Sequence, residues 1–408
     1  MAQTNPLNIL CLSSLFAGAE FMRECRRLGH RVFLLTKEKA LKENWPRESL
    51  EDLLALPNDA DNNLYIEAGS HIASKYKLDH VVALHEFDVL TAALIREHMT
   101  IPGMTASQTR FFRDKYTMRV AAQKAGVRVP DFVQVLNHDD INAFLHRVPP
   151  PWMLKPRSSA GGIGIRKLSG EDQVWNTIKE LEHRPLLHER PSHHLMEQYV
   201  KGDVYHVDSL ISGGQIVFCS ASRYSRPPFD IYHHGGIFIS CIIEHGSDEE
   251  NLLFEYNKQI LDSMGLTDGV AHVEFIKGAA DGEFYFLEIA SRVGGAFIAE
   301  TCEAANGISL WTEWAKLETA TPQNPYKPPF AANKYAGIIM SLARQEWPDT
   351  SEYTDPEIVH RVKKRYHAGF IVASPSYQRV QDLLSQYEER ISEDFTAVAP
   401  PLERPEEL

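Results

Sequence analysis

The sequence predicts an α/β domain built on a parallel sheet, followed by a longer α+β region. Three observations carry this. Strand-like and helix-like segments alternate over the first hundred residues. Mostly strand-like segments, closed by a hairpin, fill the middle of the chain. At 408 residues the chain exceeds one ordinary core and calls for two or three domains.

Residues 7–13 form a short apolar run. A helical pattern over 19–28 stops at Gly29, and the β-rich 31–36 follows. Further on, 80–84 reads as a strand and 88–98 as a helix ending before Ile101-Pro102-Gly103. Such alternation implies a Rossmann-like parallel sheet with both faces covered, over residues 1–105. Its first strand-to-helix turn, Ser13-Ser14-Leu15-Phe16-Ala17-Gly18-Ala19, lacks G-x-G-x-x-G, so the dinucleotide fingerprint is absent.

From residue 107 the pattern changes. A helix over 116–125 leads to Gly126-Val127-Arg128-Val129-Pro130, then a strand, a helix and a strand over 152–155. A Gly-rich loop, residues 158–164, separates that strand from the next at 165–168, and a long helix runs to about residue 182. Residues 195–243 are mostly strand, interrupted by a polar aromatic loop at 223–236. A helix over 249–264 precedes strands at 272–277 and 283–289, which read as a hairpin across Asp281-Gly282. A Pro-rich break at 322–329 introduces a last α+β piece, and the tail after Phe395 is rich in Pro and Glu.

Composition narrows the function. A 43% hydrophobic and 24% charged chain is that of a globular protein. With 42 Lys+Arg against 55 Asp+Glu the net charge is −13, which argues against phosphate-driven nucleic-acid binding. Cys11, Cys25, Cys219, Cys241 and Cys302 are scattered and contain no C-x-x-C pair, as expected of reduced thiols rather than a zinc site. The chain shows neither a signal-peptide pattern nor an apolar run near the ~20 residues a membrane helix needs. We therefore expect a cytoplasmic protein with neither nucleic acid nor membrane as a partner.

Three segments suggest chemistry. In Ser158-Ser159-Ala160-Gly161-Gly162-Ile163-Gly164, small residues let successive backbone N–H groups converge on phosphate oxygens. It is not a Walker A loop, since no G-K-[ST] follows, and a plain hairpin turn could look the same. Lys155, with Pro156 fixing its exit, favours a nucleotide by placing an ammonium beside the phosphates. Next, Glu274 and Glu288 lie on neighbouring strands among apolar residues, so both can face one cleft and share Mg²⁺. Two solvent-facing acids on an edge hairpin are the alternative; Arg292 and Gly294-Gly295 close behind weigh against it. Finally, Met196-Glu197-Gln198-Tyr199-Val200, followed by Lys201-Gly202-Asp203, could offer backbone groups to an adenine edge or be an ordinary strand.

Taken in order, these segments resemble the ATP-grasp superfamily over about residues 7–375, with Asp114-Lys115-Tyr116-Thr117-Met118 similar to the family's entry into its nucleotide-binding lobe. The resemblance implies a two-lobed ATP-grasp fold after the first domain: a small lobe at 106–200, a large lobe at 201–320, a C-terminal α+β part at 321–395 and a flexible tail at 396–408. It implies ATP and Mg²⁺, with Mn²⁺ as a substitute ion. Lys115 and Lys155 then match the ATP lysines, and Ser158, Ser159, Gly161 and Gly162 the phosphate-covering loop. Glu197, Gln198, Tyr199 and Val200 match the adenine hinge. Glu274 and Glu288 match the metal carboxylates, with Glu288 and Arg292 at the transferring phosphate. Two positions depart from the pattern. Ala290 stands where many members carry Asn, so Glu288 holds both ions or one ion is weaker. Strict spacing places Val204 at the ribose acid, with Asp203 the nearest carboxylate.

Within the superfamily the chain resembles carboxylate–amine ligases typified by L-amino acid ligases, and more distantly biotin-carboxylase-like chains. The implied reaction phosphorylates a carboxylate with ATP, an amine displaces phosphate, and an amide or peptide bond forms with release of ADP and phosphate. The implied partners are a small carboxylate and a small amine, with amino acids as candidates and room for a homodimer. Arg223, Arg226, His233 and His234 in the polar segment are candidates for acceptor specificity, a disordered surface loop being the alternative. Two other readings compete. A non-catalytic ATP-binding regulatory module would keep the lysines and lose the metal acids. A bicarbonate-activating enzyme would come with a biotin carrier, and this chain has no carrier motif.

Overall fold

The computed structural model describes residues 6–399. Three sheets organise the chain. The first comprises β1 (Asn8–Leu12), β2 (Arg31–Lys37), β3 (Asp52–Leu56) and β4 (His80–Ala83) in the order β3-β2-β1-β4. Every pairing in it is parallel. β1 is buried along its whole length, as a central parallel strand covered on both faces must be. β3 and the helix Asn62–Ala73 were not evident in the sequence, because Asp52 and the polar residues that follow dilute the apolar periodicity.

The second sheet is antiparallel and comprises β5 (Phe132–Gln134), β6 (Trp152–Pro156), β7 (Arg166–Leu168) and β8 (His194–Gln198), ordered β5-β8-β6-β7. Its core is separate, built on Ile141, Phe144, Trp152, Leu154, Ile178 and Met196.

The third sheet has eight strands: β9 (Gly202–Ser212), β10 (Gln215–Tyr224), β11 (Phe238–Ile242), β12 (Gly269–Gly278), β13 (Phe284–Ala290), β14 (Tyr335–Leu342), β15 (Ile358–Arg361) and β16 (His367–Ser374). They are ordered β13-β12-β9-β10-β11-β14-β16-β15. β12 and β13 form the expected hairpin.

The helix Lys115–Lys124 buries Met118, Ala121 and Ala122 against Val207, Phe275 and Phe286 of the large sheet. The C-terminal strands continue the large sheet, with the helix Tyr377–Asp394 packed on them. Of the tail expected at 396–408, Thr396 bridges to Ala343 and Val398 lies against Gly235, and residues 400–408 lie outside the described residues. Among the described residues no helix is long and apolar enough to cross a membrane.

Candidate active site

Alternation along the large sheet brings the acids together. Glu274 on β12 and Glu288 on β13 are direct cross-strand partners, so their side chains share a face. The helix Lys115–Lys124 brings the first lysine to them. Its N-cap Asp114 accepts from the backbone N–H of Tyr116 and Thr117 and pairs with Arg157, tying the helix start to the chain leaving β6. Lys115 Nζ then lies 2.6 Å from Glu288 and donates to the carbonyl of Ser159 at 2.8 Å. Burial alone would raise the Glu288 carboxyl, but Lys115, with Lys155 and Arg119 beyond it, pulls it down to about 2.

Lys155, at the end of β6, pairs with Glu197 on β8. Glu197 is 1% exposed and also takes Arg119 Nη2 at 2.9 Å and Nε at 3.1 Å. Arg119 is fully buried and donates as well to the carbonyl of Leu287, so one guanidinium joins the hinge strand to the strand of Glu288. Burial opposes ionisation of Glu197, and these two cations overcome it.

Between the small and large sheets lies a cleft. Its apolar walls include Met153, Ile163, Ile276 and Leu287, the segment Glu197, Gln198, Tyr199 and Val200 lines one side, and Lys115, Lys155, Glu274 and Glu288 charge one end. The Gly-rich loop roofs it. Gly161, Gly162 and Gly164 all have left-handed φ values, between +63° and +80°, which side chains rarely adopt. Ser159 and Gly162 line the cleft, and the buried Ser159 Oγ has no hydrogen-bond partner among the described residues. Gly161 is outside the lining, and the carbonyl of Ser158 accepts from Arg113 at 2.6 Å. Two facing carboxylates, two lysines and an unpartnered hydroxyl suit a nucleotide triphosphate and its divalent ion.

Arg292 reaches Glu86 at 3.1 Å and the carbonyl of Val293 at 3.0 Å. Glu86, on the first domain, also pairs with Arg113. Burial would raise Glu86, yet Arg113 and Arg292 hold it below its ordinary range. Glu274 accepts the hydroxyl of Tyr224 at 3.1 Å.

The specificity segment differs from expectation. It is no loop: β10 continues through Tyr224, and Pro228 starts a short helix, Pro228–His234. Arg223 pairs in register with Tyr205, on the face opposite Glu274, and so cannot border the cleft with Tyr224. Arg226 reaches instead to Glu388 on the C-terminal helix, at 3.4 Å, and His234 is exposed. His233 lines a cavity shared with Ser158, Ser159 and Lys37 of the first domain. Asp203 is exposed on β9, 3.9 Å from Arg223 and outside the cleft lining.

Sequence reasoning missed Arg113 and Arg119, and it placed Tyr224 in the acceptor-specificity segment rather than beside Glu274. The polar His206 and Asp208 inside the buried run of β9 were a signal that went unread.

Residues 148–300 match a family model described as an ATP-grasp domain. An L-arginine-specific L-amino acid ligase of Bacillus subtilis is 27% identical over 57% of this chain and 56% of its own length. A D-alanine–D-alanine ligase of Neisseria meningitidis is 25% identical over 44% of this chain and 58% of its own. The chain spans little more than half the length of these relatives. Among solved structures, an L-amino acid ligase from Bacillus licheniformis superposes with a TM-score of 0.76 at 15% identity, covering 97% of this chain and 99% of the other. The biotin carboxylase domain of Hydrogenobacter thermophilus 2-oxoglutarate carboxylase, a complex with MgADP and bicarbonate, gives 0.71 at 14%, over 93% and 88%. Both share the fold.

Proposed function

The chain carries an ATP-grasp domain, and from that premise we propose that it is an ATP-dependent carboxylate–amine ligase working through an acyl phosphate. The observation that carries the proposal is the convergence of Lys115, Lys155, Glu274 and Glu288 under the Gly-rich loop. A regulatory module that only held nucleotide would have no use for two facing acids.

In-line phosphoryl transfer asks a protein mainly for position and charge. Adenine enters the apolar end, along Glu197 to Val200. Lys115 and Lys155 neutralise phosphate oxygens. Glu274 and Glu288 would hold Mg²⁺, or Mn²⁺ in its place, which supplies further neutralisation at the terminal phosphates. Ser158, Ser159 and the glycines close over the phosphates and exclude water, which would otherwise hydrolyse the activated acid. Arg292 is poised between Glu86 and the metal acids to clamp a carboxylate or the transferring phosphate. The acid's own oxygen attacks the γ-phosphorus, ADP leaves, and an amine then displaces phosphate to form the amide.

Amino acids are the first substrates to test, because the relatives named above are amino acid ligases. A pairwise screen for ADP release identifies the acid and the amine. Heavy oxygen in the acid's carboxylate should then appear in the released phosphate, with ADP and phosphate equal to amide. Label in AMP, with pyrophosphate released, would replace this mechanism with adenylation. Arg292→Ala should slow the transfer roughly two to three orders of magnitude.

A further inference from the structure

Behind Glu274 lies a buried polar cluster that the reaction as described leaves unused. β9 carries His206 and Asp208, and β12 carries His272. Asp208 pairs in register with His272, and His206 with Glu274, so all four side chains share one face of the sheet. Asp208 Oδ2 lies 2.6 Å from His206 Nδ1, and Oδ1 lies 2.9 Å from His272 Nδ1. His206 Nε2 meets Ser240 Oγ at 2.7 Å. His272 Nε2 faces Glu274 Oε1 at 3.5 Å, and the Tyr224 hydroxyl donates to that same oxygen. His206, Asp208 and His272 are 0%, 2% and 5% exposed.

A carboxylate buried this deeply is costly unless both its charge and its lone pairs are met. Asp208 is served by two imidazoles, one on each oxygen. The backbone is shaped to the contact as well. A Cβ at Gly294, two residues beyond Arg292, would lie 2.7 Å from Asp208 Oδ1, so this approach requires glycine. The three side chains also have the composition of a metal site. Both Nδ1 atoms are already in hydrogen-bond contact with Asp208, however, so the cluster as it stands is a hydrogen-bonded network. The cross-strand partner of His272 is Ala290. The imidazole thus faces a small side chain beside the metal carboxylates.

We infer that Asp208 and His272 are positioning residues for Glu274. The inference rests on the reading of Glu274 as a metal ligand. By binding Nδ1, Asp208 fixes the plane of the His272 ring and directs Nε2 at Glu274. His272 and Tyr224 both approach Oε1 of Glu274, and Oε2 would be left to hold the ion. Partners of this kind behind a metal ligand commonly change metal affinity by about 10–100-fold when removed.

The test compares the wild type with Glu274→Gln, Asp208→Asn, His272→Gln and Tyr224→Phe. For each, ADP release at saturating ATP is titrated with Mn²⁺, and melting is recorded alongside. Glu274→Gln should raise the half-maximal Mn²⁺ concentration most. Asp208→Asn and His272→Gln should raise it about tenfold, and excess Mn²⁺ should restore much of the lost kcat, which a merely structural defect would not allow. Tyr224→Phe should shift it less, in the same direction, and it remains informative if Asp208→Asn does not fold. If Glu274→Gln shifts the requirement and the other three leave it unchanged, the positioning role is wrong. If Glu274→Gln itself leaves the requirement unchanged, the metal reading falls and the positioning role with it.

Discussion

Glu288 is the side chain on which the charges of the cleft converge. Lys115 sits 2.6 Å away. Glu288→Gln keeps the shape and removes the charge, so turnover with Mg·ATP should fall by at least roughly a hundredfold; it also takes the carboxylate partner from the buried Lys115, so the melting temperature at pH 7 should fall too, and turnover is compared where both proteins are folded. Full activity in that variant would end the metal assignment. Arg119 makes a complementary case about stability. Replacing it by Met leaves the buried Glu197 with Lys155 as its remaining cation and the Leu287 carbonyl without its donor. Breaking a buried pair this way costs about 3–5 kcal/mol, to be read from urea unfolding; an unchanged midpoint would show that the pair does not support the fold. These two residues also mark what the sequence could disclose. Glu288 was legible because an acid in an apolar strand is conspicuous. Arg119 was not, because a lone arginine on an amphipathic helix reads as solvent-facing, and its partner is 78 residues away.

The Gly-rich loop and the helix Pro228–His234 meet over the cleft. A Cβ at Gly162 would be 3.5 Å from the Tyr232 ring, and Phe229 of the same helix lines the nucleotide cleft. The loop should therefore move as nucleotide arrives. Amide exchange at residues 158–164 should slow markedly on adding Mg·ATP, with a smaller effect at 228–234. Identical exchange with and without nucleotide would count against a lid. The loop's glycines left a plain hairpin turn open, and it was Lys155 with Pro156 before them that favoured a nucleotide. The helix was not legible, since Pro, Arg, Tyr and His in close succession dilute any periodicity. Register decided the rest: one step along β10 separates Tyr224, on the face of Glu274, from Arg223, on the other. A sequence shows that a strand alternates, but the phase follows from partners far along the chain. For the same reason β14 and β16 read as a separate piece, although they extend the large sheet.

At the scale of the whole molecule, ion pairs tie the parts together. Glu86 links the first domain to Arg113 and Arg292, Asp114 links the helix Lys115–Lys124 to Arg157, and Glu197 links the small lobe to Arg119. Glu86, Asp114, Glu197, Asp208 and Glu288 are all held below their ordinary ranges: burial pushes each upward, and neighbouring cationic groups overcome it. An acid whose folded value is depressed binds fewer protons in the folded chain than in the unfolded one. Its contribution is complete above the unfolded value and is lost as pH falls through the folded value. For the glutamates that loss begins below 4.5, and for Glu288 it extends to about 2. Asp88 has the opposite sign. Burial raises it to about 6, only partly offset by its bonds from Ser14, so its contribution is complete below 3.8 and lost as pH rises through about 6. The depressed acids outnumber it. The buried His85 and His194, both pushed down to about 4 chiefly by burial, lose their contribution as pH falls from 6.5 toward that value, so the melting temperature should start to fall below about pH 6.5 and fall more steeply below about pH 4.5. Glu86→Gln removes one depressed acid at the domain junction, so it should lower stability at pH 7 and make the acid-side fall shallower. A wild-type melting temperature that is flat from pH 4.5 down to 3, or a variant whose fall is as steep as the wild type's, would show that these pairs do not hold the domains together.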